Sequence, residues 1–415
     1  MKTGLKITAL CLALVMTLGM LASCSVIADP FADGSYITAD QLLSALEKYG
    51  NDGDNINVTV EGVTGEDLLA ASHAILSSVS IITKFSECRD PKTDEIKPDA
   101  SAGSGVIYRL NKASGDAYIL TNYHVVFNEY AVNNGQIADD IKLYLYGQEY
   151  SEYGIDATYV GGSMKYDVAV LRVKNSAILR TSSAIEATFA DSDLISPLER
   201  TIAIGNPNGK GISATTGIVS VVNEYIELSM QSGTVTQYRV IRTDAAVNKG
   251  NSGGGLFNAK GEIIGIVHAR ENSNVADNVG YAIPGNLARA VANNIIANCD
   301  GGLNRSVLRC LLGIVTVAHD TKVDYDAETG RVFVNEKARV TEIVAGGKAV
   351  GKFKVGDVIL SVNIAGEEHI VTRSWTVADA MLDARVGDTV TFKVDRGGRE
   401  ITLSFEITQD YVVLD

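Results

Sequence analysis

Between residues 67 and about 285, short apolar runs alternate with clusters of Gly, Asn, Asp and Ser. The runs fall at 79–85, 104–109, 117–121, 141–146, 168–173, 201–204, 218–222, 239–243 and 263–267, and they are rich in Val, Ile and Tyr. Segments this short, with turn residues between them, predict an all-β sandwich or a pair of barrels rather than alternating βα units. Residues 286–298 change period. Leu287, Val291, Ile295 and Ile296 form a helical stripe, closed by Gly301-Gly302. From 305 to 408 a smaller unit follows, with strand-like runs at 311–317, 331–334, 338–344, 358–362, 389–394 and 400–407. A helix is predicted over 376–384, which makes this unit an α+β module. The mixed-charge stretch 86–101, around Pro91 and Pro98, is expected to be a mobile loop.

The first residues follow another pattern. Lys2 and Lys6 precede an apolar run at 7–21, too short for the ~18 residues or more of a spanning helix. It ends in Leu21-Ala22-Ser23-Cys24. This ending resembles a bacterial lipoprotein box, which implies removal of residues 1–23 as a signal peptide and acylation of Cys24. The resemblance implies an exported protein, lipid-anchored to a bacterial membrane on its extracytoplasmic side. Residues 24–66 are rich in Asp, Gly, Asn and Ser and read as a tether, with one helical stretch at 39–49 carrying Leu42, Leu43 and Leu46. The expected division is therefore 1–23, 24–66, a body at 67–302 and a second body at 305–408.

Composition narrows the function. The 415 residues are 46% apolar and 21% charged, which suits two or three globular domains and excludes a disordered chain. The formal charge of −14 repels phosphate backbones, so nucleic acid is not an expected partner. Five cysteines, at 11, 24, 88, 299 and 310, are too few for a disulfide scaffold. One pair among Cys88, Cys299 and Cys310 stays open beside three buried thiols. No cysteine or histidine stands at zinc-ligand spacing, and no phosphate loop is present. Neither a metal nor another cofactor is expected, and ATP use is not.

The chemistry concentrates in three places. In Gly250-Asn251-Ser252-Gly253-Gly254 a serine is flanked by glycines, which permit positive φ and close approach to a carbonyl. Amides around such a serine can converge on a developing oxyanion. A serine nucleophile needs a base, and His124 ends a strand in Leu120-Thr121-Asn122-Tyr123-His124-Val125-Val126. Asp167 enters an apolar strand in Tyr166-Asp167-Val168-Ala169-Val170-Leu171, placed to orient an imidazole. Singly, these are also readable as a bystander serine, a satisfied core histidine and a strand-start cap.

Together, TNYHVV, YDVAVL and GNSGG resemble the catalytic motifs of chymotrypsin-fold serine proteases, and among them the exported HtrA (DegP-like) group. Ala203-Ile204-Gly205-Asn206-Pro207 and Gly280-Tyr281-Ala282-Ile283-Pro284 agree with it. The resemblance implies a mostly β, chymotrypsin-like double barrel. It makes Ser252 the nucleophile, His124 the general base and acid, and Asp167 the orienter. The amides of Gly250 and Ser252, with Asn251 nearby, would form the oxyanion hole. The S1 pocket would be lined by Ala246, Ile266, Val267 and His268. Ala246 stands six residues before the serine, where trypsin-type proteases carry an Asp, so a basic P1 side chain is disfavoured and small aliphatic residues fit better. Two departures stand out. Gly255 replaces the family's proline, which loosens the turn, and His268-Ala269-Arg270 replaces Asn-Thr-Ala, with His268 expected as an exposed loop residue or as a group behind the site.

Arg309-Cys310-Leu311-Leu312-Gly313-Ile314 resembles the carboxylate-binding loop of PDZ domains, and residues 354–363 and 386–390 match the same family. That implies a C-terminal peptide held by the amides of Leu312, Gly313 and Ile314, added as a strand beside 314–317, with Met381 on the opposite wall. The whole implies an ATP-independent serine endopeptidase for unfolded proteins, regulated through its PDZ domain. A homotrimer is implied by resemblance alone. The alternative is a catalytically resting peptide sensor or chaperone on the same scaffold.

Overall fold

The computed structural model describes residues 65–133, 135–148, 152–229, 235–268, 279–298 and 306–414. The N-terminal run, Cys24, the 39–49 helix and Cys299 lie outside them.

Helix α1 (Gly65–Leu76) buries Ala70 and Ala74, and the hydroxyls of Ser77 and Ser78 donate to the Ala74 carbonyl at its end. The chain then enters β1 (Ser78–Arg89), β2 (Ile96–Asn111), β3 (Asp116–Thr121), helix α2 (Tyr123–Val126), β4 (Asp140–Leu145), β5 (Ile155–Ser163), β6 (Val168–Val173) and helix α3 (Ala177–Thr181). The strands close into a barrel in the order β1-β2-β3-β6-β5-β4. β4 shows the period of two that a half-buried strand requires: Ile141, Leu143 and Leu145 point in, while Asp140, Lys142 and Tyr144 do not. β6 has no such alternation because both of its faces are covered. Ala169, Leu171 and Val173 fill the barrel, while Val168 and Val170 join a second core with Leu287, Val291 and Ile295.

A second barrel is made of β7 (Arg200–Gly205), β8 (Ser213–Ser229), β9 (Val235–Thr243), β10 (Gly255–Phe257), β11 (Ile263–His268) and β12 (Gly280–Pro284), in the order β10-β11-β12-β9-β8-β7. Helix α4 (Gly285–Asn298) follows and supplies the apolar stripe that covers the outer face of β6. The two barrels agree with the spacing of runs in the sequence.

The last unit contains β13 (Leu308–Cys310), β14 (Ile314–Asp326), β15 (Arg331–Ile343), β16 (Val358–Ile364), β17 (Glu367–Ile370), helix α5 (Thr376–Ala380), β18 (Thr389–Asp395), β19 (Glu400–Glu406) and β20 (Val412–Leu414). Its sheet runs β14-β15-β16-β18-β19, so β14 is an edge strand. Phe353, Phe392 and Phe405 pack ring to ring at 5.3–5.8 Å in its core.

Three expectations are corrected here. Residues 86–101 are not a loop throughout. Residues 86–89 and 96–101 continue β1 and β2, with Phe85 opposite Asp99 and Cys88 opposite Lys97, and only 90–95 form the turn between them. The ladder is interrupted between Phe85 and Cys88, where the Ser86 N–H donates to Asp139 instead. The runs 331–334 and 338–344 form one strand, β15, paired with a β14 that extends to Asp326. The helix expected over 376–384 ends at Ala380 and continues as turns. Cys88 and Cys310 are free and buried, and burial raises both thiols above their usual range.

Candidate active site

Strand β3 ends at Thr121, and the next turn carries His124 in α2. Asn122 stands where a helix cap would, but its amide instead donates to the Asp167 carbonyl at 2.9 Å. That bond helps hold Asp167 at φ 49°, a left-handed conformation unusual for a residue with a side chain. The Asp167 carboxylate is buried. Its Oδ1 accepts the His124 backbone N–H at 2.9 Å, and its Oδ2 lies 2.8 Å from His124 Nδ1. A carboxylate only accepts, so Nδ1 of His124 carries the proton and Nε2 keeps a lone pair. The His124 side chain is 40% exposed, so a substrate can reach it.

A second imidazole shares the same oxygen. His268 Nδ1 lies 2.6 Å from Asp167 Oδ2, and the two histidine rings meet edge to face at 5.3 Å. His268 is buried at the end of β11, not exposed on a loop. Its ring nitrogen Nδ1 is directed at the Asp167 carboxylate. Burial works against ionisation of Asp167. The charges and N–H groups of His124 and His268 outweigh it and hold the carboxyl below its ordinary range.

The serine loop reaches this pair across the seam between the barrels. Ser104 of β2 is the fastening point. Its backbone N–H donates to the Ser252 carbonyl at 2.9 Å, and its hydroxyl donates to the Gly250 carbonyl at 2.6 Å and accepts from the Asn206 N–H at 2.8 Å. Asn206 in turn donates to Ser80 Oγ at 3.0 Å. Gly253 has φ 83°, and a Cβ there would lie 2.2 Å from both the Ser104 carbonyl and Thr121 Oγ1, and 3.0 Å from the Asn122 nitrogen. Only glycine fits, and the fit places the residue after Ser252 against the turn that carries His124.

The candidate oxyanion amides separate into two groups. The Asn251 N–H donates to the Asn248 carbonyl at 3.0 Å and is turned inward. The Gly250 and Ser252 N–H groups find no protein acceptor among the described residues. Gly250 has φ 95°, and a Cβ would come within 2.1 Å of the Asn206 carbonyl.

Of the expected S1 residues, Ala246 is exposed on the segment before the serine loop, where its carbonyl accepts from Thr215 Oγ1 at 2.9 Å. Ile266 and Val267 are fully buried in the second barrel. The Val267 backbone clamps the serine loop, its carbonyl accepting from Gly253 N–H at 2.9 Å and its N–H donating to Gly254 O at 2.8 Å.

His124, Asp167 and His268 are also the group of donors, among the described residues, close enough together to hold a metal ion. Their donor atoms are already engaged with one another, which accounts for the spacing without an ion.

In the last unit, Gly313 adopts φ 77°, between Leu312 and the edge strand β14. The Leu312 carbonyl accepts from Ala349 N–H at 2.9 Å and the Gly313 carbonyl from Val344 N–H at 2.8 Å. Met381 is buried beside α5.

Sequence reasoning did not find Ser80, Thr121, Asn122 or Tyr238 as supports. The signal for the first three is a polar residue within, or at the end of, an apolar strand.

Residues 103–266 match the trypsin-like peptidase domain and residues 311–407 the PDZ domain. The chain is 33% identical over 319 residues to the serine protease Do-like HtrA of Bacillus subtilis (strain 168), covering 75% of this chain and 64% of that one. It is 31% identical over 322 residues to the protein of the same name from Lactococcus lactis subsp. cremoris (strain MG1363), covering 75% and 71%. The chain thus spans just under two thirds of the length of the Bacillus relative. The structure of the HtrA-type protease AlgW with tripeptide aligns with a TM-score of 0.51 at 27% identity, over 84% of this chain and 97% of that one. With two closed barrels, a histidine on a buried aspartate beside a glycine-flanked serine, and a PDZ unit behind them, the chain belongs to the HtrA family of serine proteases.

Proposed function

We propose that the chain cleaves unfolded proteins as an ATP-independent serine endopeptidase. The observation that carries this is the bond from His124 to buried Asp167, which leaves Nε2 of an accessible imidazole as a base next to the Ser252 loop. In the proposed cycle, His124 Nε2 takes the Ser252 proton as Oγ bonds to the scissile carbonyl carbon. The amides of Gly250 and Ser252 stabilise the oxyanion. The C–N bond then breaks, His124 returns the proton to the leaving amine, and water repeats the sequence to release the acid. Without an acid at Ala246, the pocket favours small aliphatic P1 residues. Such residues are buried in folded proteins, which directs cleavage to unfolded chains.

The PDZ unit is proposed to take peptide C-termini along edge strand β14, with the carboxylate on the amides of Leu312, Gly313 and Ile314 and a side chain against Met381. The apolar run 7–21 and Cys24 support an exported, lipid-anchored protein on the extracytoplasmic side of a membrane. A homotrimer is proposed on family grounds.

The test is cleavage of unfolded casein by the full-length chain, with and without a peptide of hydrophobic C-terminus, beside Ser252→Ala. Cleavage by the wild type with a loss on the order of 10⁶-fold in the variant is expected. Equal cleavage by both refutes the assignment of Ser252. No cleavage by either, from folded protein with several peptides, favours a peptide-binding sensor.

A further inference from the structure

We infer that His268 is a positioning residue of this site: its Nδ1–H fixes the Asp167 carboxylate for His124, and its protonation silences the base in acid. The inference deepens the proposed hydrolysis and rests on it.

The carboxylate is held from three directions. Oδ1 takes the His124 backbone N–H, and Oδ2 takes the Nδ1–H of both imidazoles. With the bond from His268 in place, Oδ2 cannot swing away from His124 without leaving a buried donor unpaired. The His268 ring is itself locked. It lies against the Tyr238 ring at 5.2 Å, whose hydroxyl donates to the Met164 carbonyl at 3.0 Å, and it is opposite Tyr281 in the β11–β12 register. One stretch of β11 therefore sets both halves of the site. The backbone of Val267 clamps the serine loop, and the side chain of His268 clamps the aspartate.

The same geometry ties activity to proton uptake. The described ionisable groups facing His268 are Asp167, His124, Tyr238 and Tyr281. Asp167 is held ionised, and burial together with the Asp167 charge raises the Tyr238 phenol. Arg270 and Glu271, next along the chain, lie outside the described residues. With His268 protonated, taking the Ser252 proton onto His124 would place two imidazolium ions against the single Asp167 carboxylate that both rings share. The first acid step thus belongs to the pair of histidines and not to His124 alone.

The experiment compares the full-length wild type with His268→Asn and His268→Leu. Asn places an amide N–H near the position of Nδ1 without titrating, and Leu removes the donor. Casein cleavage is measured as kcat and KM from pH 5 to 9. His268→Leu is expected to lose up to about 100-fold in kcat, the scale of a catalytic group displaced by about 1 Å, with KM nearly unchanged. His268→Asn is expected to recover most of kcat and to shift its acid limb down by ~0.3 pH unit or more, since one of two proton sites is gone. Proton NMR of the Ser252→Ala chain should show two downfield imidazole N–H signals, and only one when His268→Asn is added. Wild-type kinetics in both variants, or equal losses in both with unchanged circular dichroism, overturn the proposal. So does a single downfield signal in the Ser252→Ala chain. A wild type that cleaves nothing refutes the proposed hydrolysis instead, and the N–H count, which needs no turnover, still decides the geometry.

Discussion

Arg239 of the second barrel is ion-paired with Asp379 of the PDZ helix α5, and its guanidinium lies 4.7 Å from the centre of the Trp375 ring. Arg373 stacks on the same indole at 4.1 Å, and the indole N–H donates to Asp193 at 3.3 Å. A further pair, Arg331 with Glu199 at 3.6 Å, joins the long PDZ hairpin to the barrel. Burial raises the Asp379 carboxyl to about 6, Arg239 opposes the rise and Asp193 adds to it.

A carboxyl raised on folding favours the neutral form in the folded state. Its stabilising contribution is complete below the unfolded value near 4 and is lost as pH climbs through about 6. Asp379→Asn removes this dependence. Between pH 4 and pH 7 the unfolding free energy of the wild type should fall relative to that variant by about 2–3 kcal/mol. Urea unfolding followed by the fluorescence of Trp375, the only tryptophan in the chain, measures it. A difference that stays constant with pH would show that the carboxyl is not raised.

Gly255 replaces the family's proline for a reason visible in the packing. A Cβ there would lie 2.3 Å from the ring of Phe257, which is fully buried. The position is filled by a neighbour, so the glycine is a space-maker and not a source of looseness. Gly255→Ala should cost about 1–3 kcal/mol by overpacking. Adding Phe257→Val should return part of that loss, measured by thermal melting of the single and double variants. Strictly additive losses would count against the packing account.

Asp167→Asn should leave the serine loop in place yet lower kcat by about 10⁴-fold, because an amide facing Nδ1 selects the wrong tautomer of His124. The carboxyl is depressed in the folded protein, so its stabilisation is present above the unfolded value near 4 and lost as the pH falls below it. The variant should therefore show a shallower loss of stability on acidification than the wild type. Single-turnover kinetics and acid titration of unfolding check the two halves separately.

Ser104→Ala removes the hydroxyl that joins the Gly250 carbonyl to the Asn206 amide. It leaves a buried acceptor and a buried donor unpaired, at about 1–3 kcal/mol for each. Activity should fall along with stability, and Ser104→Thr should restore more of both than Ser104→Cys. Full activity in Ser104→Ala would mean that the backbone bond from Ser104 to the Ser252 carbonyl seats the serine loop without the hydroxyl.

His124, Asp167 and Ser252 stand out in the sequence because each lies in a local pattern: a polar residue ending a strand, an acid entering one, a serine between glycines; the bond between the first two is what the structure adds. The barrels were legible from the turn residues between short apolar runs. His268 was open between an exposed loop residue and a group behind the site; its bond to Asp167 is not legible, because that partner is 101 residues away and its neighbours give no period that marks a buried ring. The arms of β1 and β2 beyond Phe85 were missed because exposed strands carry no apolar alternation. The β14–β15 hairpin was shortened for the same reason, with Val323 70% and Tyr325 67% exposed along it. Asn206 lies in a stretch that matches the family pattern and Ser104 begins an apolar run, but the bonds between them exist only once two barrels meet.

The fastening of the Ser252 loop to Ser104 has a consequence for the history of each molecule. The histidine and aspartate belong to the first barrel, the serine belongs to the second, and the clasp that seats the serine belongs to the first again. Neither barrel alone holds the proposed nucleophile, its base and the clasp between them. A chain still being made, or folded only as far as its first barrel, cannot assemble these groups. The arrangement exists only once both barrels have closed on each other.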